Sequence, residues 1–388
     1  MTSEKRASLS DAAPVDSPSP SRHAGPSVVR VGVEEEYLVV DPISRQLSTR
    51  ADKVVAEAAT ELGPRVTTEL TRYQVEVRTR PHTSLGALGE ELRHTRHAVA
   101  RAAGRLGLRI VSTGTPVLGQ HTPLPLTAGE RYAQSLATFR ALDHEQTVCA
   151  CHIHVEIPDL ATALAVSNHL RPWLPALIAL SANSPYWDGQ DTGYDSWRTL
   201  TWGRWPVAGP PPYFESPRQY EDLVSTLLTS QTLLDRAGVY WDIRPSHHVP
   251  TLEVRVADAT PTPDDTLLLA GAVKGLAIAA LTAVRDGRTA PRPQVELLRA
   301  AYWRAARDGV RGQSMDLTTG RLQPAARHLD HLWNTALPGL SPDDLATVHV
   351  ARQRLADQGN GADRQRAAYR RRHSYHDVVD HLVHQTTA

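Results

Sequence analysis

Net charge is the first thing this sequence lacks. Its 42 lysines and arginines are matched by 42 aspartates and glutamates. No global field draws it to nucleic acid or to an anionic membrane, so any charge-dependent function must sit in a local constellation. Cysteine is nearly absent as well. The only two, Cys149 and Cys151, lie two residues apart in a stretch that reads as a strand. That spacing excludes a disulfide framework and leaves reduced, packed thiols. An N-terminal apolar run of the signal-peptide kind is missing. The most apolar helical candidate, Thr266 to Val284, carries Lys274 and is expected to be a buried helix rather than a membrane span. The expected compartment is the cytoplasm. Three nucleotide or nucleophile signatures are also absent: the Gly-x-x-x-x-Gly-Lys-Ser/Thr loop, a Gly-x-Gly-x-x-Gly after a strand, and the Gly-x-Ser-x-Gly elbow. If nucleotide binds here, metals and arginines must hold it.

What is present is ample for a core. The chain has 388 residues, of which 41% are hydrophobic, enough for two average domains or one large one. Residues 1–27 are rich in Ser, Pro, Ala and Asp without apolar periodicity, and are expected to form a disordered leader. Residues 28–388 show no clear linker and no internal repeat. Strands are expected at Val28 to Val40, around Thr67 to Thr79, at Arg109 to Gly114, Val148 to Ile157, Tyr240 to Arg244 and Thr251 to Ala257. Helices are expected at Leu85 to Leu106, Leu160 to Ser181, Pro217 to Ala237, Asp264 to Arg285, Pro293 to Arg307, Pro342 to Ala356 and Gly361 to His384. Residues 182–215, with many Pro, Gly and Trp, read as a long ordered loop. This mixture predicts an α+β fold, with helices on one side of a mostly antiparallel sheet.

Strand alternation sorts the polar residues. Residues i and i+2 share a face. Glu34 and Glu36 therefore share one, and so do Gln74, Glu76 and Arg78. The same holds for His152, His154 and Glu156, for Asp242 and Arg244, and for Glu253 and Arg255. Most opposite faces are apolar, as with Val75 and Val77 or Leu252, Val254 and Val256. A solvated sheet face explains alternation, but it would favour Lys, Thr, Ser and Gln. Here Glu, His and Arg dominate and lysine is absent from all five strands. Hard cations take carboxylate oxygens, imidazole can complete the shell, and arginine grips phosphate. Glu34 and Glu36 would lie roughly 6.5–7 Å apart, a repulsive arrangement unless cations intervene. A zinc site from Cys149, Cys151, His152 and His154 is disfavoured, because the thiols and imidazoles point to opposite faces.

These strings resemble a known family. Gly32-Val33-Glu34-Glu35-Glu36-Tyr37 with Asp41-Pro42 resembles the opening strand of the type 2 glutamate–cysteine ligases, also called carboxylate–amine ligases. The resemblance continues in order through Cys149-Ala150-Cys151-His152-Ile153-His154-Val155 and through Ser181-Ala182-Asn183-Ser184-Pro185-Tyr186-Trp187 with Asp191-Thr192-Gly193. It ends with Trp241-Asp242-Ile243-Arg244-Pro245, with Glu253-Val254-Arg255 and with Gly361 to Arg366. It implies a glutamine-synthetase-like fold, a curved antiparallel sheet with helices outside and metals on the concave face, and one ligase catalytic domain over 28–388. It further implies that Glu34, Glu36, Glu76, His152 and Glu253 bind Mg2+, with Mn2+ as an alternative. Arg255 would contact the transferring phosphate and His154 would assist. Asn183, Trp187 and Arg244 would line the substrate pocket, and Arg364 and Arg366 would reach the nucleotide. Where the family usually has Asn two residues before the tryptophan of Tyr302-Trp303, this chain has Ala301.

The expected reaction is ATP-dependent joining of a carboxylic acid, glutamate in the family's name, to an amine through an acyl phosphate. The partners would be small molecules, with neither nucleic acid nor membrane, and a homo-oligomer is compatible with the sequence. Two alternatives stand beside it: a metal-dependent hydrolase using the same residues, and a non-catalytic binding protein on a ligase fold.

Overall fold

The computed structural model of this chain describes residues 29–119 and 123–388. The expected leader, and Val28, lie outside the described residues. Helices and strands run in this order: β1 (Val31–Val40), α1 (Ala51–Leu62), β2 (Val66–Thr68), β3 (Gln74–Arg78), α2 (Leu85–Arg105), β4 (Arg109–Val111), α3 (Glu130–Phe139), α4 (Ala141–Glu145) and β5 (Ala150–Glu156). They continue with α5 (Leu160–Leu170), α6 (Leu174–Ser181), the short pair β6 (Tyr186–Trp187) and β7 (Gln190–Asp191), α7 (Trp197–Trp202), α8 (Pro217–Thr229), β8 (Ile243–Pro245) and β9 (Thr251–Asp258). The last third is mostly helical: α9 (Pro263–Arg285), α10 (Val295–Asp308), the hairpin β10 (Gln313–Met315) and β11 (Leu322–Pro324), α11 (Ala325–Ala336), α12 (Pro342–Gln358), α13 (Gly361–Arg372) and α14 (Tyr375–Thr386).

A seven-stranded sheet carries the architecture, in the order β2-β3-β1-β5-β9-β8, with β4 paired to the end of β1. Every pairing in it is antiparallel. The apolar side of each strand faces helices: Val31, Val33, Ile153, Val155, Val254 and Val256 pack with residues of α2, α5, α6 and α9. The α+β expectation, with helices on the outer face, therefore holds. The pleat explains it: one face of each strand is apolar enough to bury and the other is not.

Helix ends follow local chemistry. Ser84 caps α2 by accepting from the backbone of Gly86 and Ala87, and Thr262 with Asp265 forms a capping box at the start of α9. The apolar α9 is long enough to cross a membrane, but 72% of its most apolar window is buried inside the molecule. Two helices expected to be continuous are broken. Arg171–Trp173 forms a 3-10 turn between α5 and α6, where Pro172 cannot donate to the ladder. His373, left-handed at φ 53°, ends α13, and Ser374 then caps α14. The helix expected to reach Ala237 stops at Thr229. Helices α1, α3, α4, α7 and α11 and the two small hairpins were not expected.

Candidate active site

Strand register brings the polar face together. Glu34 lies opposite His152 across β1 and β5. Glu36 lies opposite Glu76 across β1 and β3. His154 lies opposite Glu253 across β5 and β9, and Glu253 lies opposite Arg244 across β9 and β8. A register shift between Cys151 and Ile153 falls on His152. Such irregularities commonly re-aim a side chain beside an active site. All five residues expected to bind metal, Glu34, Glu36, Glu76, His152 and Glu253, line one cavity of about 470 Å³ together with His154, Arg244 and Arg255.

Within it the groups are close. His152 Nδ1 lies 3.1 Å from Glu34 and 3.7 Å from Glu253, and its Nε2 lies 4.0 Å from Glu36. His154 Nε2 lies 3.5 Å from Glu34, and its Nδ1 meets Thr251 Oγ1 at 2.9 Å. Arg255 donates to Glu253, and Arg244 holds the other oxygen of Glu253 at 2.7 Å while also donating to the Ala237 and Val239 carbonyls. Arg244 is thus at the cavity but committed to fixing Glu253. Two triads have ligand atoms all within 4.8 Å of one another: Glu34, His154 and Glu253, and Glu36, Glu69 and Glu76.

The two triads differ electrostatically. Burial opposes ionisation of Glu34, but contacts with His152 and His154 outweigh it and hold the carboxyl well below its usual range. Burial also opposes the charge on Glu253, and the Arg255 and Arg244 guanidiniums outweigh it. Burial, reinforced by Arg255, pushes His152 down to about 4, leaving it neutral at pH 7. Glu36 is different. Burial, then the charge of Glu76, pushes it up to about 8. Burial and the charges of Glu76 and Glu36 push Glu69 well up too. Three carboxyl groups therefore crowd in a poorly solvated place with too little positive charge to ionise together. The donor set, all oxygen at one triad and two carboxylates with an imidazole at the other, suits a hard divalent cation. His152 Nε2 and Arg255 Nε are buried without hydrogen-bond partners, as expected of groups whose partner is a bound ligand.

Four expected site residues are elsewhere. Asn183 is fully buried and fully engaged: its side chain donates to the Ser112 and Ala259 carbonyls and accepts from Gln365. It ties chain segments together and has no polar atom left for substrate. Trp187 sits in the β6–β7 hairpin and does not line the cavity. Arg364 pairs with Asp265 in the first turn of α9, and Arg366 pairs with Asp191 and Asp195. Neither reaches the cavity. Ala301 is buried on α10 and does not line it either.

Other wall residues were not singled out as site residues. Glu69 belongs to the connection between β2 and β3, where alternation carries no information. Arg198, 2% exposed, reaches the carbonyls of Arg255 and Val256 from α7. Arg78, on the polar face of β3, pairs with Glu76 at 2.7 Å and Glu34 at 3.5 Å; its position was legible, its role was not.

On the opposite face, Glu35 is buried with Arg96, which also donates to the Thr260 and Pro261 carbonyls, while Tyr37 and Thr266 donate to Glu35. This network anchors β1 to α2 and to the start of α9.

Comparison with known proteins gives the family and the fold. The sequence model of the glutamate–cysteine ligase family 2 matches residues 30–383. A protein of Nocardia farcinica, provisionally named glutamate–cysteine ligase 2-1, is 44% identical over 353 residues, covering 91% of this chain and 92% of its own. A similarly named protein of Saccharopolyspora erythraea is 44% identical over 357 residues, covering 92% and 94%. Among solved structures, a glutamate–cysteine ligase of Francisella tularensis in complex with AMP aligns with a TM-score of 0.65 at 14% identity, covering 93% of this chain and 89% of that one. A bifunctional glutathione synthetase of Pasteurella multocida aligns with a TM-score of 0.69 at 15% identity, covering 92% of this chain and 52% of that one. At such identities the structural likeness speaks for the fold, whereas the family match and the sequence relatives span nearly the whole chain: it belongs to the glutamate–cysteine ligase family 2.

Proposed function

We propose that this protein is an ATP-dependent carboxylate–amine ligase of the glutamate–cysteine ligase type. The observation that supports it best is the convergence of Glu34, Glu36, Glu76, His152 and Glu253, from four strands, with Arg255 on one concave surface. In the reaction, an oxygen of the substrate carboxylate attacks the γ-phosphorus of ATP, ADP leaves, and an acyl phosphate forms. The amine nitrogen then attacks the acyl carbon. The C–N bond forms, the C–O bond to phosphate breaks with its electron pair, and the amine's proton leaves with phosphate or water.

The first step brings two anions together, so positive charge must wait where the new charge develops. Arg255 is buried, and the charges of Glu253 and Glu34 hold it protonated despite that burial. Its Nε is free of protein partners and is available to a phosphoryl oxygen. Glu253, clamped by Arg244, keeps Arg255 in place. Glu34, His154 and Glu253 would hold one Mg2+, and Glu36, Glu69 and Glu76 another, with Mn2+ as the alternative. Bound there, such ions neutralise phosphate oxygens and orient the triphosphate. His152 stays neutral between the triads.

The test is ADP release from Mg-ATP over a panel of amino acids and amines, with mass spectrometry of the product. Acid- and amine-dependent ADP formation with an amide product supports the reading. Hydrolysis of an amide or ester without nucleotide would replace it by a hydrolase, and Mg-ATP binding with no turnover by a binding protein.

A further inference from the structure

The cavity has a second wall that the phosphoryl chemistry leaves unused. The chain is poor in aromatics, only 5% of its residues, yet Tyr132, Phe139, Trp202, Trp205 and Tyr240 all line this one cavity. Three elements supply them: α3, α7 with the turn after it, and the segment before β8. Four of them form a continuous surface. Phe139 and Trp205 have ring centroids 4.9 Å apart, Trp205 and Tyr240 5.5 Å, and Trp202 and Tyr240 4.9 Å. Trp205 is anchored to Gln146 through its indole nitrogen, whereas the other four keep part of their surface open. The indole nitrogen of Trp202 is buried without a hydrogen-bond partner. A buried donor left over in a cavity wall is a place for an acceptor atom of a ligand.

The wall adjoins the reacting groups. Tyr132 and Tyr240 line the same cavity as Glu69, Glu76, Arg131 and Arg255. A substituent resting on it would place its amine beside the carboxylate triads. Carboxylate and phosphate seek Arg255 and cations, so neither is served by aromatic faces. A ring or bulky apolar group is, because aromatic surfaces reward offset or edge contacts beyond simple burial. Resting on the ligase reading above, we infer that this wall is the acceptor subsite and that it selects amines bearing an aromatic ring over small amines such as cysteine or ethylamine. The amine still reacts as before: its nitrogen bonds to the acyl carbon as phosphate leaves with the C–O electron pair. The ring takes no part in bonding and fixes the nitrogen's position.

The probes are tyramine and ethylamine, which share a primary aliphatic amine and differ by a hydroxyphenyl ring. With glutamate and Mg-ATP, the KM for tyramine should be about tenfold or more below that for ethylamine, from a ring worth one good aromatic contact plus its burial. Trp202→Ala should bring the ratio of the two KM values toward one. Phe139→Leu, a milder change on the same wall, should reduce the ratio if the first variant fails to fold. Equal KM values in the unaltered protein overturn the inference and leave the ligase reading standing. A parallel arm needs no turnover: tyramine binding followed by tryptophan fluorescence, with ethylamine and adenosine as competitors. Tight tyramine binding that ethylamine does not displace supports the subsite even if no ADP is ever released, a result that sinks only the ligase reading. Displacement of tyramine by adenosine assigns the wall to the nucleobase and overturns the inference.

Discussion

Glu36 shows how a single side chain couples the site to pH. Its carboxyl is pushed up to about 8 by burial and then by Glu76, against about 4.5 unfolded. Between those values the folded chain binds more protons than the unfolded one, so its contribution to stability falls as pH rises. His152 works oppositely, but only below pH 6.5, since its folded value is about 4. In the window from pH 6.5 to 8 the carboxylate triad is joined by His154, which, despite burial, Glu34 and Glu253 hold above its usual value, and both act in the same direction. In EDTA the unfolding temperature should drop across that window. Saturating Mg2+ should lessen the drop, and apparent Mg2+ affinity should rise with pH up to about 8, because the cation displaces protons. An unfolding temperature that is flat from pH 6.5 to 8 in EDTA contradicts the raised values of Glu36 and His154 together. At the same scale, Glu36→Gln or Glu253→Gln should lower ADP release by about 10²-fold or more, as for loss of a preorganised electrostatic contact. On the other face of β1, Arg96→Met leaves Glu35 charged, buried and unpaired, and should destabilise by about 3–5 kcal/mol, read as a lowered urea midpoint.

Elements decide which residues meet, and here reading by sequence succeeds or fails for identifiable reasons. Period-2 alternation in β1, β3, β5 and β9 was enough to put Glu34, Glu36, Glu76, His152 and Glu253 on the polar side of their own strands, because the other sides are buried and, Glu35 apart, apolar; that the four polar sides meet in one site was implied by the family resemblance. Glu69 escaped since it lies in a connection without periodicity. The aromatic wall escaped because α3 and α7 are short and their partners are far apart in the chain. Asn183 was misassigned for an instructive reason: a family string marks a residue that matters but does not separate contact with substrate from a buried hydrogen-bond junction. Helix packing makes its own prediction. A Cβ on Gly275 of α9 would fall 2.3 Å from the Ala336 carbonyl at the end of α11. Gly275→Ala should gain about 1 kcal/mol in helix propensity but lose about 1–3 kcal/mol to overpacking. Thermal unfolding should show a net loss, with the KM for ATP unaltered, since Gly275 is remote from the cavity wall.

For the whole molecule, the curved sheet is the device. Its outer face is held by α2, α5, α6 and α9, and its inner face is left free to gather charge that no core would accept. That division explains a neutral chain with a strongly charged cavity, and the family match over residues 30–383 accords with it. The central claim is that strands β1, β3, β5 and β9 build cation positions that hold the triphosphate. The most direct measurement is anomalous diffraction from crystals grown with Mn2+ and a non-hydrolysable ATP analogue. The account predicts Mn2+ peaks within bonding distance of Glu34, His154 and Glu253 and of Glu36, Glu69 and Glu76, with the γ-phosphate against Arg255. Nucleotide bound elsewhere, or Mn2+ absent from both triads while nucleotide is present, would contradict it.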